Sequence, residues 1–390
     1  MKTAYKTFLA GTTLATILGG AILTNGAYAV ANNLVQTDFS GATCDGATLN
    51  AHNMICEDNA GIKTFFLPSG DYILGEDINL GDGSLVINAG NASLDLSTHE
   101  IKNTTDSNPV IGLSGAHTFA ISGSGKITSA TGAYTHALRV EGASATELAT
   151  FTVSGTSTIT GAFIQKANAT IDSGNFVSNG TGGGLESDAS NVTINGGTFT
   201  AGNADAYYIH GSASNTVTVN GDTFTNSGAD GAGISVEGDL GTLKITGGTL
   251  SGPTTGLSLG VTPATTALSG GSYISTGTGE YSYGGIVVGN VDNINVLSTL
   301  LAAGSSYSDS SALVGGTAPY TFAYLKEKTI TITDGSSTPA TEDESGVKSP
   351  NSGFITGENN ATASLATAAV VATGLAAAGL GLKKAAKKEA

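Results

Sequence analysis

Four carboxylates in the middle of the chain are the residues that come nearest to enzyme chemistry. Cleavage of a glycosidic bond requires two carboxyl groups held at a fixed separation, one of which acts as an acid. Asp205, Asp222, Asp230 and Glu237 follow one another closely enough to lie on neighbouring turns of a repeating fold. Each stands in a turn-like setting typical of solvated acids, so the sequence leans against catalysis and leaves the question open.

A set of tyrosines indicates binding more than catalysis. Each stands a few residues before a recurring apolar position of the repeat described below. The set comprises Tyr134, Tyr207, Tyr281 and Tyr283, with His136 and His210 in similar places. If these turns share one edge, the rings would face solvent and could stack on sugar rings. Partly buried packing at a corner is the alternative.

The sequence indicates neither a metal nor a cofactor. Acidic turns could hold calcium, but the Gly-Gly-x-Gly-x-Asp series of calcium-binding repeats does not occur. Cys44 and Cys56, the chain's two cysteines, have no histidine–cysteine cluster of zinc spacing nearby. In an oxidising compartment they are expected to form a local disulfide, worth about 2–4 kcal/mol. Two free thiols are the alternative.

The charge of the chain excludes one large class of partners. The formal net charge is −16, and no basic patch stands out. Nucleic-acid backbones and anionic membrane surfaces would be repelled by such a protein. We therefore expect no nucleic-acid partner.

A repeat in the sequence predicts the secondary-structure elements that position these residues. Each repeat alternates apolar and polar residues, turns at Gly, Ser or Asp, and alternates again, which predicts short strands with one buried face. Such segments cover residues 169–176, 192–199, 217–224, 243–250 and 266–273. Their anchors Ile171, Ile194, Val219, Ile245 and Leu268 recur every 23 to 26 residues, with Leu96, Ile121 and Val153 before them.

A second column of apolar residues runs in parallel at intervals of 22 to 29 residues. It consists of Val86, Ile111, Leu138, Phe163, Leu185, Ile209, Ile234, Leu257 and Ile286. Equivalent residues at equal spacing mean that the chain returns to the same corner on every repeat. This pattern predicts an all-β fold, a parallel β-helix of about nine coils. Asn168, Asn191 and Asn215 precede successive strands and should form an amide ladder along the rod.

The segment leading into the first coil, Thr-Phe-Phe-Leu-Pro-Ser-Gly-Asp-Tyr-Ile-Leu at residues 64–74, together with the coil pattern resembles the pectin-lyase-like superfamily. The resemblance covers about residues 60–300 and implies a right-handed β-helix. Lyases of that fold use Arg or Lys as a base, and hydrolases use clustered aspartates with Gly-His-Gly and Arg-Ile-Lys motifs. Neither motif occurs in this chain, and Arg139 is its only arginine.

The N-terminus has the pattern of an export signal. Lys2 and Lys6 precede an apolar run from residue 8 to 23, and Ala27-Tyr28-Ala29 supplies the small-x-small pattern that precedes cleavage. We therefore expect a signal peptide over residues 1–29. An uncleaved N-terminal anchor is the alternative.

The C-terminus has the pattern of a surface anchor. Residues 361–382 carry no charge and are long enough to cross a bilayer, and residues 383–390, with four lysines, would stay in the cytoplasm. Upstream, Ser349, Pro350, Asn351, Ser352 and Gly353 resemble the Leu-Pro-x-Thr-Gly signal of sortase-processed proteins, with Ser in place of Leu and of Thr. That resemblance implies cleavage before Gly353 by a sortase-like transpeptidase. A plain membrane anchor is the alternative.

These features predict an extracellular protein anchored to the cell wall or membrane. The expected organisation is a signal peptide (1–29), an N-terminal cap (30–80), a β-helix (81–303), a C-terminal cap (304–333), a linker with the sorting motif (334–360), a transmembrane helix (361–382) and a basic tail (383–390). The expected role is structural or adhesive, with contacts to glycans or surface proteins. A carbohydrate-active lyase or glycosidase, or a glycan-binding module on the same fold, is the alternative.

Overall fold

The computed structural model describes residues 32–40, 44–48, 52–59, 61–104, 108–130, 136–178, 180, 182–279, 282–291, 294–315 and 322–334. The signal peptide, sorting motif, transmembrane segment and basic tail predicted from the sequence all lie outside these ranges. Among the residues that are described, no helix has the length and apolar character needed to span a bilayer.

The described part begins with three strands and one 3-10 turn. These are β1 (Asn32–Leu34), the 3-10 turn (Gln36–Asp38), β2 (Asp45–Thr48) and β3 (Ile55–Asn59). Cys44 and Cys56 are joined by a disulfide here, with their Cα atoms 4.6 Å apart.

Next comes a series of strands in which each turn of the chain contributes three. The turns are β4 (Ile62–Phe66), β5 (Gly70–Leu74), β6 (Ile78–Asn79); β7 (Ser84–Ile87), β8 (Asn91–Asp95), β9 (Glu100–Lys102); β10 (Ile111–Ser114), β11 (Thr118–Ser122), β12 (Lys126–Thr128); β13 (Leu138–Glu141), β14 (Ala149–Val153), β15 (Thr158–Ile159); β16 (Ala162–Gln165), β17 (Ala167–Ile171), β18 (Asn175–Val177); β19 (Leu185–Asp188), β20 (Asn191–Ile194), β21 (Thr198–Ala201); β22 (Tyr207–Gly211), β23 (Thr216–Val219), β24 (Thr223–Asn226); β25 (Ala232–Gly238), β26 (Thr242–Ile245), β27 (Thr249–Gly252); β28 (Thr255–Leu259), β29 (Thr265–Leu268), β30 (Gly271–Ser275); and then β31 (Ile286–Gly289).

The described part ends with one short helix and four strands. These are α1 (Val296–Thr299), β32 (Ser306–Tyr307), β33 (Ala312–Gly315), β34 (Phe322–Leu325) and β35 (Thr329–Thr333).

The strands form three long sheets that run the length of a solenoid. Sheet 1 contains β4, β7 and every third strand up to β31; sheet 2 contains β5 to β29 and sheet 3 contains β6 to β30 in the same manner. Each strand pairs in parallel with its equivalent on the next turn. The nine sets of three strands therefore form an all-β, right-handed-type parallel solenoid of about eight to nine turns, close to the coil number expected from the anchors.

The first column of anchors is a continuous stack inside the solenoid. Ile171, Ile194 and Val219 are direct partners across β17, β20 and β23, and all three are fully buried. Before them, Val153 pairs with Ile121, and Ile121 pairs with Leu94 and not with Leu96. On sheet 3 the rings of Phe176, Phe199 and Phe224 stack nearly parallel at 4.9 and 4.6 Å.

The sequence pattern identified the correct residue of the second column at six turns and the wrong residue at three. The buried position is taken by Leu85, Ala162 and Tyr207, where the sequence pattern indicated Val86, Phe163 and Ile209. Because side chains on a strand alternate between faces, a slip of one residue turns a side chain from the core to solvent. Phe163 and Val86 therefore lie on the outer side of sheet 1. Ile209 is also buried, two residues along from Tyr207.

The asparagine ladder predicted from the sequence is formed in part, and the structure contains a second side-chain ladder that was not predicted. The Asn191 amide donates to Asn168 at 2.9 Å, and Asn191 in turn accepts from the backbone of Thr216 at 2.9 Å. Asn215 stands one residue out of register and does not continue the ladder. A second ladder joins Asn220 to Asn195 and Asn195 to Asp172, each at 2.8 Å. That ladder follows the strands and had not been expected.

Both ends of the solenoid are closed by added strands, all antiparallel except β1, which pairs in parallel with β5. At the N-terminal end, β2, β3 and β4 form an antiparallel series on sheet 1, and β1 extends sheet 2. At the C-terminal end, β34 and β33 extend sheet 1, while β35 and β32 extend sheet 3. These strands pair the backbone groups that an unfinished parallel sheet would leave free.

The inward assignment of Ile194 can be tested by charge. Ile194→Asp places an unpaired carboxylate in the stack and should lower the free energy of unfolding by about 4 kcal/mol. Thr193→Asp, on the adjacent outward position, should cost far less. Thermal unfolding followed by circular dichroism compares the two variants, and equal melting temperatures would contradict the assignment.

Candidate functional site

The outward side of sheet 1 carries two columns of polar and aromatic side chains, which we call the polar–aromatic face. Both arise because residues next to a buried position on a strand point away from the core. The first column is Arg139, Phe163, Glu186, Tyr208, Ser235 and Ser258, and the second is Glu141, Gln165, Asp188, His210 and Glu237.

Tyr208 is the centre of this face. Its hydroxyl donates to Glu237 Oε2 at 2.5 Å, and its ring meets the His210 ring edge-on at 4.3 Å. Burial raises the pKa of Tyr208 above its usual value, and the hydrogen bond to Glu237 raises it further. The phenol therefore remains a hydrogen-bond donor at neutral pH, and it holds the Glu237 carboxylate in place.

Asp205 precedes β22 and lies beside Tyr208. It accepts a hydrogen bond of 2.5 Å from the backbone N–H of Ala232 and another from the Ser235 side chain. Burial raises the pKa of Asp205 to about 6, against the effect of the Ala232 bond, and the charges of Glu237 and Glu186 add to the increase. Asp205 therefore keeps its proton to a higher pH than an ordinary aspartate.

The pKa of Glu186 is shifted in the opposite direction from that of Asp205. Burial works against its ionisation, but His136 Nε2 at 3.3 Å and the backbone N–H of Gly183 at 3.1 Å together hold the pKa of Glu186 below its usual value. His136 also packs against the Phe163 ring at 5.6 Å, and the Arg139 guanidinium lies over the same ring at 5.4 Å. The face thus holds one carboxyl group whose pKa is raised, Asp205, and one whose pKa is lowered, Glu186.

An aromatic cluster lies at the C-terminal end of the same sheet. The ring of Tyr283 is 4.7 Å from that of Phe322 and 5.6 Å from that of Tyr324. Phe322 and Tyr324 pair with the outward positions Gly289 and Val287, so their rings lie on the outer side. All three rings are half-buried, which leaves part of each available for stacking.

Of the two predicted tyrosines that the structure describes, Tyr283 lies at the surface of this sheet and Tyr207 does not. Tyr207 is fully buried, with its hydroxyl 2.9 Å from that of Ser187, so its assignment to an exposed edge is wrong. It fills the inward position of β22, which leaves its neighbour Tyr208 outside. Tyr134 and Tyr281 lie outside the described residues.

The four carboxylates considered from the sequence are divided by the fold. Asp205 and Glu237 meet on the polar–aromatic face. Asp230 is exposed at the start of β25. Asp222 is buried at another corner, with neither oxygen in a hydrogen bond of good geometry among the described residues, and burial raises its pKa to about 7. Asp222 is therefore not the solvated acid that the sequence pattern indicated.

Sequence reasoning missed Glu186, Tyr208, Phe322 and Tyr324. The pair Tyr207–Tyr208 contained a usable signal, since two adjacent residues on a strand must point to opposite faces. The aromatic cluster contained none, because it joins strands that are distant in sequence. Within the described ranges, no group of three or more His, Cys, Asp or Glu side chains is arranged to hold a metal ion.

Comparison with protein-family models gives no match for this chain. Neither the curated proteins nor the solved structures yield a significant match.

The coupling between Asp205 and Glu237 can be measured directly. In Glu237→Gln the neighbouring charge is lost, so the pKa of Asp205 should fall from about 6 by a fraction of a unit. Carboxyl-carbon NMR shifts followed from pH 3 to 9 report this value. Glu141→Gln, on the same column but several strands away, is the control. An equal pKa of Asp205 in the parent and both variants would contradict the placement of Asp205 beside Glu237.

Proposed function

We propose that this chain is a surface-displayed β-solenoid that binds glycans through the polar–aromatic face and the aromatic cluster at the C-terminal end of the same sheet. The observation that carries the proposal is the combination on one sheet of half-exposed aromatic rings with carboxylates and hydroxyls. Sugars are recognised by such a combination, since apolar ring faces stack on aromatic side chains while hydroxyls bond to acids and amides.

The charge of the chain narrows the class of glycan. With a net charge of −16 and Glu186 and Glu237 on the face itself, the protein disfavours polyuronates and other acidic chains. Neutral glycans, or glycans with amino groups, fit this surface. A rigid solenoid would carry the face away from the envelope, which suits an adhesive role.

Glycan cleavage is a second candidate function, and one observation supports it. Asp205 and Glu186 lie on one face with pKa values pushed in opposite directions, and such a division is how two carboxyl groups take the roles of acid and base. The likeness of the coil pattern to the pectin-lyase-like superfamily is consistent with either candidate.

Binding should depend on the outward rings. Tyr208→Ala and Tyr324→Ala should each weaken binding on a glycan array by roughly fivefold, from about 1 kcal/mol of lost stacking per ring. Thr218→Ala, on the outer side of sheet 2, should bind like the parent. No glycan binding by the parent would refute the proposal. Release of new reducing ends that is lost in Asp205→Asn would favour the enzyme.

The display of the solenoid depends on the C-terminal segment, for which we propose sortase-like processing at Ser349–Gly353. Deletion of residues 350–390 should release the protein into the medium. Gly353→Ala alone should leave an unprocessed, membrane-bound precursor, because the enzyme cleaves before that glycine. Fractionation of cell wall and membrane distinguishes the outcomes, and unchanged wall linkage in Gly353→Ala would favour a plain membrane anchor.

A further inference from the structure

A polar cavity of about 330 Å³ opens at the corner where sheet 3 leads into sheet 1. It spans three consecutive turns of the solenoid, near the starts of β25, β28 and β31. Its lining includes Asp230, Pro253, Thr254, Thr276, Thr278 and Ser282. A cavity of this volume lies at the small end of the range for small-molecule sites, about 300–1,000 Å³.

The wall of the cavity is held in place by Lys328, from the turn between β34 and β35. Its Nζ donates to the backbone oxygens of Ser282 at 2.8 Å and Gly277 at 3.3 Å, and to the Ser282 hydroxyl at 2.5 Å. The Ser282 hydroxyl in turn donates to Gly277 O at 2.7 Å. These bonds join the C-terminal cap to the rim of the cavity, so the cavity is formed before any ligand enters.

The other polar groups that line the cavity can form further hydrogen bonds. Thr254 Oγ1 accepts from the backbone N–H of Gly231 at 3.1 Å, and no described residue accepts its hydrogen in return. Thr276, Thr278 and Asp230 are exposed at the rim. Hydroxyls that both donate and accept, beside one carboxylate that only accepts, match a ligand rich in hydroxyl groups.

Other ligand classes fit the cavity less well. An anion would meet Asp230, while Lys328 is already engaged by neutral oxygens. A hydrocarbon ligand would have few apolar partners, since Pro253 is the largest apolar group in the lining. A metal ion would find one carboxylate, and hard cations are bound by several oxygen ligands at once.

We propose that this corner cavity is a subsite for one uncharged monosaccharide unit of the bound glycan. The inference rests on the proposed function and names the class of ligand. Ser282 is followed directly by Tyr283, whose ring belongs to the aromatic cluster, so the next sugar along the chain would reach those rings. The cavity selects the sugar unit, and the polar–aromatic face holds the glycan chain.

Blocking the cavity without disturbing the fold tests this inference. A Cβ added at Gly279 meets no atom within 4 Å and the backbone there is not left-handed, so Gly279→Val should fold normally and fill the opening. Gly202→Val is the matched control, because its Cβ also meets open space and Gly202 does not line the cavity. Thr278→Val removes one lining hydroxyl at nearly constant volume.

The probes are the methyl glycosides of glucose, galactose, mannose and N-acetylglucosamine, followed by saturation-transfer NMR with the purified chain. We expect the parent and Gly202→Val to bind at least one of them, Thr278→Val to bind it several-fold more weakly, and Gly279→Val not to bind it. Absence of binding by the parent, or binding unchanged in Gly279→Val, would overturn the subsite. If a glycan array still shows Tyr208-dependent binding in either case, the proposed function stands without the subsite.

Discussion

The structure depends on one constraint, the parallel backbone pairing of each turn with the next. Hydrogen-bonded strands lie about 4.8 Å apart, so equivalent side chains on successive turns are forced into direct contact. Inside the solenoid this contact is favourable for residues of one kind, and Phe176, Phe199 and Phe224 stack as a result. Outside, the same contact lets Asn191 bond to Asn168.

The constraint acts differently on charged residues, and it shapes the polar–aromatic face. Like charges directly opposite one another on neighbouring strands are unfavourable. The second column accordingly alternates carboxylates with other groups, in the order Glu141, Gln165, Asp188, His210 and Glu237. Gln165 donates to Asp188 at 2.5 Å and thereby shields it from the next acid. A strongly acidic chain can thus keep several carboxylates on one sheet.

Asp205 is the exception, and it is the carboxyl group at this face whose pKa is raised. It stands outside the strand, where the alternation does not separate it from Glu237 and Glu186. Burial raises the pKa of Asp205, and the charges of Glu237 and Glu186, from which its position does not separate it, raise it further. Groups with perturbed pKa values tend to be functional, and here the perturbation coincides with the aromatic and polar side chains from which we infer binding.

The fold could be predicted from the sequence to a large extent because the repeat is periodic. Ile171, Ile194 and Val219 marked a buried stack correctly, since spacing along the chain becomes contact across turns. The candidate site could be predicted only poorly. Whether Tyr207 or Tyr208 faces solvent depends on a one-residue choice of register, and the pattern, with Ile209 nearby as another apolar candidate, did not decide it.

The sequence by itself therefore determined a parallel solenoid, because a repeating apolar pattern is a local property of the chain. Only the tertiary structure decided which polar groups meet. It buried Asp222 and placed Asp205 close enough to Glu237 for the Glu237 charge to raise the pKa of Asp205. It also brought Tyr283 against Phe322 and Tyr324 and fixed the corner cavity with Lys328. These contacts join residues on different turns or in the terminal cap, and their geometry follows from how the turns stack and how the cap folds back over them.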